Sequence, residues 1–543
     1  MRITDLRRSR QSEFSCDVCI VGGGPAGLTL ATELANISLK VLLVESGGGP
    51  GQDAFANGLN EIESVGSARV MDQDQVRNRG IGGSSQTWFG RCISLDPIDF
   101  ECRDWLPYSG WPISLQELQP FIKRSVPYLG LGEGLYTGGF PADSKLSASL
   151  QSDKTPTARV VTWQFSSRST IYSDYVRFGI RFRTLQAPNI VVLTHATITQ
   201  IKTAEQGSRV ERLEVTTPEG EKSSIIAHQI VLCGGGIENA RLLLASNRSD
   251  PRGVGNQHDL VGRFFMDHPR TTVGTFTTEA APAVQREFGL FRVASGVRVQ
   301  CGLSLATDVQ RKEQLLNCAA WTTQHVADDD AWRSVRAVGL GNSGSRLAAA
   351  RVVARNADQL AIGLWNKFVR GENLTRRLKQ LDLDVMVEQT PNPQSRIRLS
   401  KRLDATQVPL SEIDWKISEV EALTVIRLSH AVNATLSKAG LPECDLVDWV
   451  ANKRVEDAVF RDAAHPLGAT RMALRAEDGV VDPDCRVFGI ENLYIAGSSV
   501  FPYGGHANPT LTIIALALRL ADHLRNPALY RQQVFQGKSQ DQM

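Results

Sequence analysis

Close to the N-terminus the chain reads Cys16-Asp-Val-Cys-Ile-Val-Gly22-Gly-Gly24-Pro-Ala-Gly27, which is its most informative segment for the fold. Its apolar half predicts a short buried strand, and its glycines predict a tight turn into a helix that continues through Leu28 to Leu34. A second apolar strand, Val41 to Val44, ends at Glu45. The order of strand, glycine turn, helix and strand is that of a dinucleotide-binding unit.

Each glycine of this turn has a separate expected role. Gly22 permits the tight turn, Gly24 lets the backbone approach a pyrophosphate, and Gly27 lets helix and strand pack closely. The helix N-terminus supplies N–H groups and partial positive charge to the phosphates. Glu45, followed by Ser46, lies 23 positions after Gly22 and is placed to accept hydrogen bonds from ribose hydroxyls. The motif predicts a dinucleotide but does not by itself separate FAD from NAD.

Composition narrows the class of protein. The chain has 543 residues, of which 42% are hydrophobic and 22% charged, as in ordinary globular proteins with a large core. The net charge of +2 gives no reason to expect nucleic acid as a partner. Nine scattered cysteines favour a reducing compartment, and we expect a cytoplasmic protein. The arginines of Leu6-Arg-Arg-Ser-Arg-Gln11 lack the apolar segment that a signal peptide needs.

The C-terminal part carries the candidate chemistry. His465 opens the stretch His465-Pro-Leu-Gly-Ala-Thr-Arg-Met472, and Asn508 lies 43 positions later, before Pro509 and Thr510. Histidine suits general base catalysis, and an asparagine amide can donate to a developing oxyanion. His506 is a rival for the second role. The structural alternatives are a buried core histidine at 465 and a turn residue at 508.

Further motifs extend the pattern between the two ends. They are Arg79-Gly-Ile-Gly82-Gly83-Ser84-Ser85, Ser109-Gly-Trp-Pro-Ile-Ser114, Met266-Asp-His-Pro269 and Asn492-Leu-Tyr-Ile-Ala-Gly497-Ser498-Ser-Val-Phe-Pro502. In this order, from about residue 14 to 525, the chain resembles the glucose-methanol-choline (GMC) family of FAD-dependent oxidoreductases.

The resemblance implies an α/β fold with a Rossmann-like FAD domain and an α+β substrate domain built on an antiparallel sheet, as in p-hydroxybenzoate hydroxylase. We expect the FAD domain to be discontinuous and to comprise residues 1–135, 191–275 and 461–543. The substrate domain would then comprise residues 136–190 and 276–460.

The resemblance also implies a reaction. An alcohol would be oxidised to a carbonyl, with His465 as the base facing the flavin and Asn508 as its partner. We expect a sugar, glycoside or polyol as substrate; alternatives are an aryl or aliphatic primary alcohol, a hydroxynitrile lyase reaction, and a non-catalytic flavoprotein. The electron acceptor, oxygen or a quinone or protein, is left open.

Cofactor contacts follow from the same resemblance. Thr87 stands where some members carry the histidine that binds FAD covalently, so non-covalent FAD is expected. Gly497 replaces the family's usual aspartate, so the backbone or Ser498 would contact the flavin chain. The remaining expected cofactor contacts are Gly82, Gly83 and Ser84 at the pyrophosphate, Thr197 and Ile198 at the adenine, and Ser46, Thr87, Trp88, Asn508, Pro509 and Thr510. No metal site is expected.

Three features lie outside this scheme. His268 is interpreted as structural, positioning its turn near the flavin. Trp321 and Trp415 are candidates for stacking on a sugar, although core packing is the commoner use of tryptophan. The basic segment 332–379 favours a helical excursion, an oligomer contact or weak docking to a surface.

Overall fold

A computed structural model describes residues 1–49, 53–67, 69, 73–132, 134–141, 143–166, 177–183, 185–204, 207–293, 296–327, 330–332, 334–335, 350–368 and 377–526. The helices with defined bounds are, in chain order, α1 (Pro25–Glu33), α2 (Ala54–Gly58), α3 (Gln73–Val76), α4 (Leu115–Leu129), α5 (Lys145–Ser152), α6 (Phe178–Phe182), α7 (Gly235–Ala245), α8 (Ala281–Phe288), α9 (Thr307–Glu313), α10 (Ala357–Phe368), α11 (Glu419–Lys438), α12 (Asp448–Ala451) and α13 (Thr510–Leu524). Short 3₁₀ turns lie at Leu6–Arg8, Gly83–Gln86, Pro97–Phe100, Val455–Asp457 and Ser498–Val500.

The first sheet has eight strands and a mainly parallel core. Its strands are β1 (Arg2–Asp5), β2 (Glu13–Val21), β3 (Val41–Val44), β7 (Ile190–Thr194), β8 (Thr197–Thr203), β9 (Val210–Thr216), β10 (Lys222–Leu232) and β19 (Leu493–Ile495). The order is β1-β7-β3-β2-β10-β9-β8, with β19 also paired to β10. Only the β10–β9 and β9–β8 pairings are antiparallel. All four residues of β3 are buried, as expected for a central parallel strand covered on both faces.

The predicted dinucleotide unit is present in this sheet. β2 and β3 pair in parallel from Val18 opposite Val41 to Val21 opposite Val44. Helix α1 connects them, and it begins with Pro25 directly after Gly24. Helix α13 packs against both α1 and α4. The Rossmann-like part of the fold prediction is confirmed.

The second sheet also has eight strands and is antiparallel. Its strands are β5 (Arg91–Cys92), β6 (Ala158–Phe165), β11 (Arg270–Phe276), β12 (Phe291–Arg292), β13 (Arg298–Leu305), β14 (Cys318–Val326), β15 (Leu378–Val387) and β18 (Asp445–Leu446). The order is β18-β11-β15-β14-β13-β6-β5, with β12 beside β13. An antiparallel sheet of this kind is what the substrate domain was expected to contain.

A third, small sheet joins distant parts of the chain. It consists of β4 (Ile62–Gly66), β16 (Arg396–Leu403) and β17 (Pro409–Trp415), and β17 pairs in parallel with β4. The predicted boundaries assign β4 to the FAD domain and the other two strands to the substrate domain. The boundaries themselves stay a prediction.

Two of the expected tryptophans are core residues. Trp415 in β17 is fully buried and donates from Nε1 to Gln389 Oε1 at 2.7 Å. It lies in the small sheet, within the residues predicted for the substrate domain. Trp321 in β14 does belong to the large antiparallel sheet, where it is 4% exposed and packs edge-on against Trp163.

The predicted basic segment lies partly outside the described residues. Arg346, Arg370 and Arg376 are among those not described. Within the segment, α10 carries Leu364 and Trp365 on its exposed surface, at 44% and 59% exposure. A role in docking stays a prediction. Across the described ranges, no helix combines the length and apolar character needed to cross a membrane.

Candidate active site

The N-terminus of α1 forms an open cradle. Gly24 caps the helix without any side-chain hydrogen bond, so the N–H groups of the first turn are not capped by a side chain. A Cβ added at Gly24 would meet no heavy atom within 4 Å, whereas one at Gly27 would lie 2.0 Å from the carbonyl oxygen of Gly22. Gly22 itself has a φ of +113°. Gly22 and Gly27 are therefore required by packing, and Gly24 leaves room for a ligand.

Glu45 lies at the end of β3 and closes this cradle. Its carboxylate accepts the N–H of Gly23 at 2.7 Å and the N–H of Gly47 at 3.0 Å, one on each oxygen. The side chain is 6% exposed. Each carboxylate oxygen can accept a second hydrogen bond, so ribose hydroxyls remain possible donors. Glu45 thus also holds the glycine turn in place, which the sequence interpretation did not include.

The loop that contains Gly82, Gly83 and Ser84 lies against the glycine turn. The N–H of Gly82 donates to the carbonyl oxygen of Gly23 at 2.8 Å. A Cβ at Gly83 would approach Gly24 Cα to 2.7 Å, and the φ of Gly83 is +52°. Ser84 is exposed beside them. The structure therefore brings the two glycine loops together, as the pyrophosphate prediction requires.

The neighbouring predicted contacts are held by hydrogen bonds within the protein. Thr87 Oγ1 accepts from Asn78 Nδ2 at 2.7 Å, and Ser46 Oγ accepts from Arg79 Nη1 at 3.1 Å. Trp88 lies edge-on to Phe178, with ring centroids 6.3 Å apart.

The predicted adenine strand is also connected to the cradle. The N–H of Ala196 donates to the carbonyl oxygen of Glu45 at 3.0 Å, which places the start of β8, Thr197 and Ile198, next to the end of β3. Thr197 is buried and Ile198 is half-buried.

Gly497 and Ser498 lie at the end of β19. Gly497 has a φ of +119°, and a Cβ there would have Gly235 Cα at 3.9 Å as its nearest neighbour. Ser498 Oγ donates to the carbonyl oxygen of Pro466 at 2.7 Å. Because the Ser498 hydroxyl proton is used in this hydrogen bond, the backbone N–H groups are the donors that this turn can offer to a cofactor. Taken with the uncapped α1 terminus and the space at Gly24, the residues present fit a dinucleotide with a pyrophosphate and an extended chain.

His465 is held between two polar side chains. Its Nδ1 lies 2.9 Å from Nδ1 of His268, and its Nε2 lies 3.4 Å from Nδ2 of Asn508. Asn508 precedes α13, with Pro509 as the N-cap and Thr510 as the first helical residue. The structure therefore brings together the predicted pair, His465 and Asn508, and adds His268.

The hydrogen bonds of His268 determine where the protons lie. His268 Nε2 is 2.9 Å from the carbonyl oxygen of Gly505, which can only accept, so Nε2 carries a proton. In a neutral imidazole the other nitrogen is then an acceptor, and His268 Nδ1 accepts from Nδ1 of His465. His465 Nε2 is left unprotonated, with its lone pair directed toward Asn508. The network thus places a basic nitrogen at one defined atom.

Both rings are neutral because they are buried. Burial, the nearby His268 and, more weakly, Arg91 and Arg270 together lower the pKa of His465 to about 3, against the opposing effect of the Asp267 charge. Burial likewise lowers the pKa of His268. A buried neutral histidine with a free lone pair is suited to accept a proton and unsuited to hold it permanently.

A buried ion pair positions the backbone of His465. Asp267 accepts the N–H of His465 on both carboxylate oxygens, at 3.0 and 3.1 Å. Arg69 Nη2 lies 3.1 Å from Asp267 and 3.3 Å from Asp462, and the side chains of Arg69 and Asp267 are 2% and 0% exposed. Sequence reasoning did not identify Arg69 or Asp267. The sequence feature that could have indicated Asp267 is its position next to a histidine in Met266-Asp-His-Pro269.

His506 occupies a different environment. Its side chain is fully buried, and its Nδ1 lies 3.6 Å from Oδ2 of Asp96 rather than in the hydrogen bonds that join His465 and Asn508. Burial lowers the pKa of His506 to about 4. The carbonyl oxygen of the neighbouring Gly505 is bonded to His268, and a catalytic role for His506 itself stays a prediction.

Comparison with known proteins finds two family models that match parts of this chain. Residues 391–517 match the family described as GMC oxidoreductase, and residues 17–258 match the one described as FAD dependent oxidoreductase. The chain is 24% identical to the 6'''-hydroxyparomomycin C oxidase of Streptomyces lividus, covering 94% of this chain and 92% of that protein. It is 28% identical to the fructose dehydrogenase large subunit of Gluconobacter japonicus, over 62% of this chain and 53% of that protein.

Solved structures support the same fold. The crystal structure of pyridoxine 4-oxidase from Mesorbium loti superposes with a TM-score of 0.58 at 19% identity, covering 94% of this chain and 99% of that one. The two family matches fall on the dinucleotide unit at one end and on the His465 to Asn508 region at the other. The chain is thus similar, at both ends, to FAD-dependent oxidoreductases, and its C-terminal part matches the GMC oxidoreductase model.

Proposed function

We propose that this protein oxidises a hydroxyl group of a sugar, glycoside or other polyol to a carbonyl, with His465 Nε2 as the base. The observation that carries the proposal is the hydrogen-bond chain from the Gly505 carbonyl through His268 to His465, which leaves Nε2 unprotonated. Oxidation of CH–OH groups with FAD is the activity of the family. The assignment of particular residues to it is our proposal.

The roles of the two side chains follow from their atoms. The substrate hydroxyl would donate its proton to His465 Nε2 and accept a hydrogen bond from Asn508 Nδ2. The present 3.4 Å contact between these two atoms is long for a hydrogen bond, so a substrate oxygen can replace it at little cost. As the proton leaves, Asn508 stabilises the negative charge on the oxygen without competing for the proton. FAD, when bound, supplies the acceptor for the hydride from carbon.

Asp267 would support the protonated state of the base. When Nε2 accepts a proton, His465 becomes an imidazolium, and the nearby carboxylate favours that charge. Burial keeps the base neutral beforehand, so the two influences act in opposite directions at different stages. We propose that Asp267 is a positioning residue and not a proton acceptor for substrate.

The choice of a sugar or polyol rests on the relatives. Among them are a fructose dehydrogenase subunit and oxidases of the aminoglycosides 6'''-hydroxyparomomycin C and paromamine. A 2-methyl-1,2-propanediol dehydrogenase also matches, at 22% identity over 94% of this chain, and it represents the smaller-alcohol alternative. We further propose that FAD is held without a covalent bond, since Thr87 has no nucleophilic nitrogen and its hydroxyl accepts from Asn78.

The proposal is tested by mixing the purified flavoprotein with sugars, polyols and simple alcohols without oxygen. We expect at least one polyhydroxylated substrate to bleach the oxidised flavin spectrum. His465→Ala should slow this bleaching by about 10² to 10⁴ while leaving the FAD content unchanged. Reoxidation by oxygen or by a quinone then distinguishes an oxidase from a dehydrogenase.

Other outcomes would contradict the proposal in distinct ways. Cleavage of a cyanohydrin without bleaching would indicate the lyase alternative. Bleaching only by aryl or aliphatic primary alcohols would reassign the substrate class. If His465→Ala lost FAD and activity together, His465 would be a structural residue.

A further inference from the structure

One face of the antiparallel sheet combines tryptophans with arginines. In the strand register Arg270 lies opposite Met386, Met386 opposite Ala319, and Trp321 projects from the same face two residues beyond Ala319. At its other edge β13 pairs with β6, where Gln300 of β13 lies opposite Trp163. Phe165 of β6 lies opposite Arg298 of β13 on one side and Arg91 of β5 on the other. Because paired residues project to the same side of a sheet, these side chains share one face. We call Arg91, Arg270, Arg298, Trp163 and Trp321 the arginine–tryptophan face.

The arginines of this face are held in fixed positions over the indoles. Arg91 Cζ lies 4.8 Å from the ring centroid of Trp321 and 4.9 Å from that of Trp163. Arg270 Cζ lies 5.1 Å from the centroid of Trp321. Arg91 also donates from Nη2 to Gln300 Oε1 at 2.7 Å, and Arg270 donates to Asp384. Two guanidinium groups are therefore preorganised around a single indole.

This face adjoins the candidate active site. Ala463, two residues before His465, packs against the cluster that contains Trp163, Trp321 and Met386. Arg270 is two residues beyond His268, and its N–H donates to the carbonyl oxygen of Arg461 at 2.8 Å. Both Arg91 and Arg270 act on His465 electrostatically, and each lowers its pKa. A substrate that reaches His465 would thus lie within the field of both arginines.

The described charges of the face are predominantly positive. Asp384 is the carboxylate at its centre, and it is already bonded to Arg270, Thr272 and Thr323. Asp382 lies farther along β15, where it contacts His325 and Thr275. The Nε of Arg270 is buried and has no hydrogen-bond partner. A buried donor of this kind, beside further guanidinium groups, is better satisfied by an anion than by a neutral ligand.

We propose that the arginine–tryptophan face binds an anionic group of the substrate, so that the enzyme selects an alcohol that also carries a carboxylate or phosphate. This inference rests on the proposed function, because it names the substrate class of the same site. Guanidinium groups bind planar oxyanions in a directed manner, and the buried indoles of Trp163 and Trp321 hold the guanidinium groups in place. The same field disfavours a polycationic aminoglycoside, the substrate type that the names of two relatives indicate.

Matched substrates test the proposal without any mutation. Anaerobic flavin reduction would be compared for glucuronate against glucuronamide, for 4-(hydroxymethyl)benzoate against its amide, and for glucose 6-phosphate against glucose. We expect kcat/KM to be at least about tenfold higher for the anionic member of a pair that is turned over, and this preference to shrink as ionic strength rises. A preference in either of the first two pairs indicates that the site binds a carboxylate, and a preference in the third pair indicates that it binds a phosphate.

Variants then locate the binding group. Arg91→Gln and Arg270→Gln should each reduce the preference for the anion by at least about tenfold, mainly through KM. Arg311→Gln is the matched control, since Arg311 is an exposed arginine, paired with Glu101, and should leave the preference unchanged. The dissociation constants of benzoate and benzamide, measured from the perturbed spectrum of oxidised flavin, give a readout that needs no turnover.

The anionic substrate and the oxidation of an alcohol can be disproved separately. Equal kcat/KM values for anionic and neutral partners, or equal binding of benzoate and benzamide, would overturn the anionic substrate while leaving alcohol oxidation intact. If no alcohol bleached the flavin but benzoate still bound more tightly in an Arg91-dependent manner, the proposed function would fail and the anion site would stand. Efficient oxidation of paromamine would also overturn the inference.

Discussion

The imidazole rings of His268 and His465 face each other through their Nδ1 atoms, 2.9 Å apart, with ring planes at 82°. A contact between two like nitrogens is a hydrogen bond only if one of them carries the proton. The Gly505 carbonyl settles which one, because it requires the proton of His268 to be on Nε2. The proton between the rings therefore belongs to His465, and this relationship makes His465 Nε2 the basic atom.

Removing His268 should expose this dependence. In His268→Ala, Nδ1 of His465 loses its acceptor, and the tautomer with a proton on Nε2 becomes accessible. We expect flavin reduction to slow on the order of tenfold to a hundredfold, with KM and FAD content little changed. His268→Gln supplies a side-chain oxygen as acceptor and should recover part of the rate. Equal rates for the alanine and glutamine variants would show that His268 acts only through packing.

Two glycines of one motif should respond differently to the same substitution. Gly24→Ala adds a Cβ into open space, at a φ of −81° that alanine adopts readily, so the apoprotein should fold normally and bind FAD far more weakly. Gly27→Ala places its Cβ 2.0 Å from the Gly22 carbonyl oxygen and should destabilise the fold itself.

The two outcomes are separated by measuring the FAD-to-protein ratio together with the thermal unfolding of the FAD-free proteins. A normal flavin content in Gly24→Ala would show that the space beside Gly24 is not where the cofactor lies. A Gly27→Ala apoprotein as stable as the wild type would contradict the packing requirement.

The ion pair between Arg69 and Asp267 should matter for stability because it is buried. With both side chains almost inaccessible, Arg69→Met leaves the carboxylate without its partner, and we expect a loss of about 3 to 5 kcal/mol in the free energy of unfolding. Adding Asp267→Asn removes one of the two carboxylates that Arg69 contacts, Asp462 being the other, and should restore part of that loss. Denaturant unfolding measures both. A double variant less stable than Arg69→Met would show that the carboxylate is needed chiefly for its bonds to backbone N–H groups.

His506 should make the protein sensitive to acid. Its folded pKa, about 4, is below the ordinary histidine value of about 6.5, so the unfolded chain binds a proton that the folded protein refuses. Stability therefore falls as the pH is lowered through this window. Relative to His506→Gln, the wild type should lose up to about 1.4 kcal/mol per pH unit between about pH 6.5 and pH 4. A stability difference that does not vary with pH would mean that His506 is not neutral in the fold.

Much of the cofactor end could be predicted from local sequence. The βαβ unit depends on apolar runs and glycines that are adjacent in the chain, so its strands, turn and helix follow from short-range rules, and β2, α1 and β3 agree with them. The interpretation of Glu45 was incomplete, because its bonds to Gly23 and Gly47 depend on how the turn folds back. The prediction of FAD rather than NAD as the cofactor depended on motifs far along the chain.

The candidate site was less accessible to such reasoning. His465 and Asn508 were recognisable as polar residues in glycine- and proline-rich turns. The sequence indicated only a structural role for His268 and no role for Arg69. Their contacts join positions 197 and 198 residues apart. Nothing in the local sequence indicates which of two nitrogens carries a proton, since that is decided by an acceptor contributed by another turn.

The dinucleotide unit, the pair of polar residues and the family motifs could all be identified from the order of residues, because short-range spacing and residue type set them. The folded chain was needed to show that His268 fixes the tautomer of His465 and that Arg91 and Arg270 flank Trp321. These relationships arise when β5, β11 and β14 enter one sheet and the C-terminal turns close over it. The direction of a hydrogen bond and the sum of nearby charges are properties of atoms brought together in space, and the order of residues along the chain does not specify them.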